Sequence, residues 1–226
     1  MTSFAHARST VELRPRLRGW LHLWAFVVSI ASGVTLVVLA AFVGPRAAVG
    51  TAIYAVTVSG LFGVSALYHR RAWGLRGRAV MKRLDHSMIF LFIAGTYTPF
   101  ALLTMSPDLG AVILAVVWAG ALGGILVRQA WIRAPRWVTV PPYIALGWVA
   151  AFVLPQLLQH AGVASLTLLL AGGVMYTLGA VVYATKRPNP SPAVFGYHEV
   201  FHACTIVAAL CHYVAVWMAV YSGPVH

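Results

Sequence analysis

The amino-acid sequence predicts an all-α, polytopic membrane protein: a bundle of seven transmembrane helices with a cytoplasmic N-terminus and an outer C-terminus. Three observations carry this prediction. Of the 226 residues, 61% are hydrophobic and 9% charged, a balance that a soluble domain of this length cannot divide between core and surface. Apolar runs of about 20 residues, the length that crosses a bilayer, recur along the whole chain. Basic residues gather at alternate connections between those runs.

The runs fall at roughly residues 20–43, 47–69, 85–105, 109–128, 138–158, 164–184 and 200–222. The first follows a basic leader, but it is longer than the apolar stretch of a secretory signal, about 7–15 residues, and reads as a retained helix. The chain therefore divides into a short basic cytoplasmic tail (1–19), a seven-helix membrane domain (20–222) and a short outer tail (223–226). In the third run Pro99 follows Gly95 by one turn, so a bend is expected there, with either a packing role or a lateral cavity above Asp85. In the fourth, Gly120 and Gly124 form a small-xxx-small pair suited to close packing. In the last, Cys204 and Cys211 lie about 10 Å apart along the helix axis, too far for a disulfide, and read as buried free thiols.

A net charge of +12 would suggest nucleic acid in a soluble protein, so the placement of the positive residues decides what it means. The N-terminal tail holds Arg8, Arg14, Arg16 and Arg18, and the second loop holds Arg70, Arg71, Arg76, Arg78, Lys82 and Arg83. The fourth loop adds Arg128, Arg133 and Arg136, and the sixth adds Lys186 and Arg187, leaving Arg46 alone on the other side. The positive-inside rule puts the basic side in the cytoplasm. The excess charge reports topology and contact with anionic headgroups, with no nucleic-acid partner.

With that topology, His69 ends the second span, Asp85 begins the third, and His198 and His202 open the seventh, all near one membrane face. His198 and His202 are spaced i, i+4, one turn apart on one helix face, and Ser65 and His69 repeat that spacing. A third histidine from another helix would complete three protein ligands and leave a fourth position for water, as in catalytic zinc sites; imidazole alone does not select the metal. Each residue also has a plainer reading. Histidines at helix ends contact headgroups or carbonyls, Asp85 can cap the third helix or pair with Lys82 or Arg83, and Ser65 can bond back to the preceding turn. Glu199, beside His198, is an alternative base, although on a helix it points about 100° away.

His22 and His86 lie near the same face and could assist, though neither fits the three-ligand pattern as well; His212 lies deeper as an interior histidine, and His6, His160 and His226 read as tail or loop residues. Glu12, Asp85, Asp108 and Glu199 all lie away from the membrane midplane, which argues against a proton-relay transporter.

Ser65-Ala66-Leu67-Tyr68-His69, Arg83-Leu84-Asp85-His86-Ser87, Gly95-Thr96-Tyr97-Thr98-Pro99-Phe100 and His198-Glu199-Val200-Phe201-His202 resemble the motifs of the bacterial hemolysin III proteins. These belong to the progestin and adiponectin receptor group, within a superfamily that includes alkaline ceramidases. The resemblance runs from the first span to the last. It implies seven helices, a zinc ion held by His69, His198 and His202, a zinc-bound water held by Asp85, and Ser65 beside the site. The soluble extensions of the animal receptors are missing, which counts against a hormone-receptor role.

Together, these residues and the resemblance imply zinc-dependent hydrolysis of a lipid amide or ester, ceramidase-like, and the resemblance implies a role in membrane lipid homeostasis. Asp85 would be the general base and Ser65 an orienting or oxyanion-binding hydroxyl. The expected partners are membrane lipids and a lipid-like substrate or ligand, and the expected location is the bacterial plasma (inner) membrane. The alternative is a non-enzymatic membrane-state sensor or receptor-like regulator with structural zinc. Pore formation finds no specific support, because a secreted toxin would have to leave the membrane that these spans require.

Overall fold

A computed structural model of the protein describes residues 15–131 and 134–222. His6, Arg8, Glu12, Arg14, Arg133, His226, most of the basic tail and the outer tail 223–226 lie outside the described residues. The described chain is helical throughout, apart from one isolated bridge between Ser191 and Phe195. Its helices are α1 (Trp20–Val43), α2 (Pro45–Arg70), α3 (Leu75–Leu103), α4 (Pro107–Ala130), α5 (Arg136–Gly147), α6 (Leu154–Thr185) and α7 (Tyr197–Val220). A 3-10 turn over Trp148–Val153 joins α5 to α6.

Among the described residues, six helical stretches are long and apolar enough to cross a membrane when Arg136–Thr185 is taken as one, so the chain is a polytopic membrane protein. Hydroxyl groups inside these helices bond back along the backbone: Thr51 donates to the Ala47 carbonyl (2.7 Å), Thr96 to Phe92 (2.8 Å) and Thr98 to Ala94 (2.9 Å). This satisfies polar groups where lipid offers no partner.

The run Arg136–Thr185 spans 50 residues, about 75 Å if straight, more than twice the hydrocarbon core. It does not stay straight. Gly162 interrupts α6 at φ 77°, ψ 167°, a conformation that side chains resist. Contacts on either side pair in antiparallel order: Arg136 donates to the Tyr183 carbonyl (2.9 Å) and Trp148 Nε1 to Thr177 Oγ1 (3.0 Å). The chain thus doubles back at Gly162. On the first arm, α5 contains Pro141 and Pro142 and gives way to the 3-10 turn. The Tyr97 hydroxyl stitches that irregular stretch to α3, donating to the Gly147 carbonyl (2.6 Å) and accepting the Ala150 N–H (2.7 Å).

Sequential helices pack side by side, and α7 closes the bundle against α1, α2 and α3. Close approach between α2 and α3 rests on Gly95, where a Cβ would lie 2.1 Å from Thr57 Oγ1. Gly95→Leu should therefore cost about 1–3 kcal/mol and lower the thermal midpoint in detergent by about 3–10 °C. An unchanged midpoint would refute this tight α2–α3 contact. Gly120 and Gly124 do pack as expected, but against side chains: Cβ atoms there would meet Leu146 at 2.8 Å and Phe90 at 2.3 Å.

Two expectations about the third span need correction. α3 begins at Leu75, not near Asp85, so Arg76, Arg78, Lys82 and Arg83 are helical rather than loop residues. Charge lowers hydropathy without opposing a helix that projects beyond the hydrocarbon. Asp85 is consequently in the helix interior and cannot be its N-cap, a position held by Gly74. Arg128, expected in a loop, lies on α4 and is 5% exposed. Pro99 stays within α3, and the cavity beside it, about 60 Å³, is lined by Thr96, Tyr97, Phe100 and Trp148 together with His212, without Asp85.

Candidate metal centre

Two helices supply the centre. The last turn of α2 carries His69, and the first turns of α7 carry His198 and His202. Each offers one ring nitrogen, and these three atoms all lie within 4.8 Å of one another. His69 Nε2 and His198 Nε2 are 3.1 Å apart. Two nitrogens bound to one tetrahedral ion at about 2.0–2.1 Å would be separated by roughly 3.3 Å, so the His69–His198 pair stands at the spacing of two ligands to one metal. His202 is 2% exposed, and its Nδ1 has no hydrogen-bond partner among the described residues. The three histidines can hold a metal ion.

The centre is built into the fold from several directions. Tyr183 and Phe201 pack edge-on against His198 at 5.8 Å between ring centroids. His22, from α1, stacks on His202 with centroids 3.7 Å apart and planes 11° from parallel. It presents a ring face rather than a nitrogen, so it acts as a wall and not as a ligand. The sequence places His22 near the site as a residue that could assist, without showing how. Its signal was positional: His22, Ser29, Gly33, Leu36 and Ala40 form the buried stripe of α1.

Ser65, 3% exposed, lies one turn before His69 and within interaction distance of the Asp85 carboxylate. Asp85 itself is not among the convergent ligands. The one basic side chain within 4 Å of its carboxylate among the described residues is His86, whose Nδ1 lies 3.6 Å from Oδ2 and also 2.8 Å from the Lys82 carbonyl. Neither Lys82 nor Arg83 forms the ion pair that was one alternative for Asp85. Ser65 thus lies one turn from the ligand His69 on α2 and beside a carboxylate of the neighbouring helix.

Glu199 does not serve as an alternative base. It is fully buried, and its carboxylate pairs with Arg18 through one oxygen while the other accepts the Gly196 N–H (2.9 Å) at the start of α7. The segment carrying Arg18 also docks on the α6–α7 loop, with Arg16 N–H donating to Ala193 (3.0 Å) and Leu17 N–H to Val194 (3.1 Å). Gly19 then turns into α1 at φ 78°, where a Cβ would press on His69 and Arg70 at 2.9 Å. Arg18→Ala should strand the Glu199 charge and destabilise the protein by about 3 kcal/mol, with Arg18→Ala/Glu199→Gln recovering most of that loss. Equal destabilisation of both variants in denaturant titrations would show that the pair does not anchor α7.

The chain is similar in sequence to several known proteins. The family model described as haemolysin-III related matches residues 11–213. Hemolysin-3 of Bacillus cereus is 34% identical over 162 residues, covering 71% of this chain and 74% of that protein. A hemolysin-3 homolog of Bacillus subtilis (strain 168) is 29% identical over 78% of this chain and 80% of its own. The monocyte to macrophage differentiation factor of Homo sapiens is 26% identical over 76% of this chain and 71% of its own.

Proposed function

The chain belongs to the haemolysin-III related family, and from that membership and its three-histidine centre we propose a zinc-dependent membrane hydrolase of lipid amides or esters. The observation that carries the proposal is the convergence of the three ring nitrogens within 4.8 Å, beside a serine and a carboxylate. The accompanying topology is seven spans, with the reversal at Gly162 dividing Arg136–Thr185 into two crossings. Alternating basic connections support a cytoplasmic N-terminus and an outer C-terminus. The location we propose is a bacterial plasma membrane, and the partners are membrane lipids.

Zinc, when bound, supplies a Lewis acid that polarises a carbonyl and makes water nucleophilic near neutral pH. Asp85 accepts a proton as water adds to the carbonyl carbon, and returns it to the amine or alcohol as the C–N or C–O bond breaks. Ser65 orients that carboxylate or donates to the carbonyl oxygen as charge develops on it. Burial within the bundle selects substrates that reach the site from the bilayer, hence acyl-chain amides or esters.

A second reading, a membrane-state sensor with structural zinc, is supported by the enclosure of His202 beneath His22, which walls the centre off on that side. Metal analysis by mass spectrometry of tag-free protein, followed by a lipid amide and ester panel, separates the two. One zinc per chain with turnover supports the hydrolase. One zinc without turnover, in detergent where a ceramidase is active, supports the sensor. Folded protein without metal removes both.

A further inference from the structure

We propose that the outward groove between α1 and α2 is a binding site for one anionic phospholipid, with an acyl chain along the groove and its phosphate held by Arg70 and Arg71. The groove encloses about 730 Å³ between Leu23 and Phe26 of α1 and the α2 face that runs from Ser59 to Arg71. That face is about 18 Å long at 1.5 Å per residue, close to the half-thickness of a hydrocarbon core of about 30 Å. The slot therefore matches one leaflet. Its wall is low where Phe26 lies against Gly63, a position at which a Cβ would come within 2.9 Å of the ring.

The charged end supplies the choice of headgroup. Arg70 and Arg71 are exposed, and among the described residues neither guanidinium has a carboxylate or hydrogen-bonding partner. Each is held by an aromatic ring: Arg70 lies 3.7 Å over Trp20 and Arg71 5.2 Å over Trp73. Stacking fixes the guanidinium planes and leaves the N–H groups at their edges free for phosphate oxygens. Trp20 also stands where an amphipathic indole meets headgroups. An apolar slot one leaflet deep, ending in two unneutralised guanidiniums, complements a lipid with net negative charge and disfavours one whose headgroup adds a cation. Ser65, buried on the same helix, is not among the residues that line this slot.

The test uses purified full-length protein, delipidated in mild nonionic detergent and titrated with phosphatidylglycerol or phosphatidylcholine of identical acyl chains. Native mass spectrometry counts the lipid retained. One phosphatidylglycerol should bind at least tenfold tighter than phosphatidylcholine, with the preference shrinking as salt rises. Arg70→Gln/Arg71→Gln should lose about five-fold of that preference per charge, and Arg70→Lys/Arg71→Lys should keep most of it. Leu67→Trp, which fills the slot from an exposed wall position, should weaken both lipids together. Equal retention of the two lipids by wild type, or retention untouched by Leu67→Trp, overturns the proposal even if the glutamine pair fails to fold.

Discussion

His202→Ala is expected to lose its bound metal, with affinity falling at least about 100-fold, because it deletes one of three converging donors. Disturbing even the outer partners of a metal site costs 10–100-fold, so loss of a ligand sets a floor at the upper end of that range. The same change also empties a fully enclosed space under His22. A control separates ligand loss from cavity formation: His22→Ala removes the stacked wall but no ligand, and should retain metal within about tenfold. The measurement is metal per chain after dialysis against graded chelator, on variants matched for helical content. Metal retained by His202→Ala at wild-type chelator concentrations would place the ion elsewhere, and equal loss in His22→Ala would mean that enclosure, rather than coordination, holds it.

Asp85→Asn carries the next largest effect, a fall in lipid-hydrolysis turnover of about 10²–10⁴-fold with metal content unchanged. The substitution keeps the shape of the side chain, and Asp85 lies outside the converging donor set, so metal binding has no reason to follow it. Its neighbour Ser65 offers a graded companion: Ser65→Ala should reduce turnover less than Asp85→Asn while also keeping metal. Turnover that survives Asp85→Asn would remove the carboxylate from proton transfer. Metal lost together with turnover would make Asp85 part of the coordination instead.

Much of the architecture can be read from the sequence, because a bilayer imposes a length and a polarity on every crossing. The first span was placed at the observed bounds of α1, and α2, α4 and α7 differ from their expected ends by a few residues. Hydropathy starts the third span ten residues late, because the first turns of α3 carry Arg76, Arg78, Lys82 and Arg83 and are not apolar. The sequence predicts two spans in the stretch from Arg136 to Thr185, and the break at Gly162 lies between them. The i, i+4 pairing of His198 with His202 was equally visible, since helical periodicity is a local property.

What the sequence determined by itself is therefore what depends on local periodicity and bilayer chemistry: an all-helical membrane chain, its family motifs, and the histidines that a shared depth brings within reach. Only the tertiary structure decided the rest, because each remaining feature joins residues far apart in the chain through side-chain direction. It alone stacks His22 on His202, sets Ser65 beside Asp85 and commits Glu199 to Arg18 across 181 positions. Depth in a membrane can be inferred from where a residue falls in its span. Which way its side chain faces, and what meets it there, follows from how the helices rotate and pack against one another.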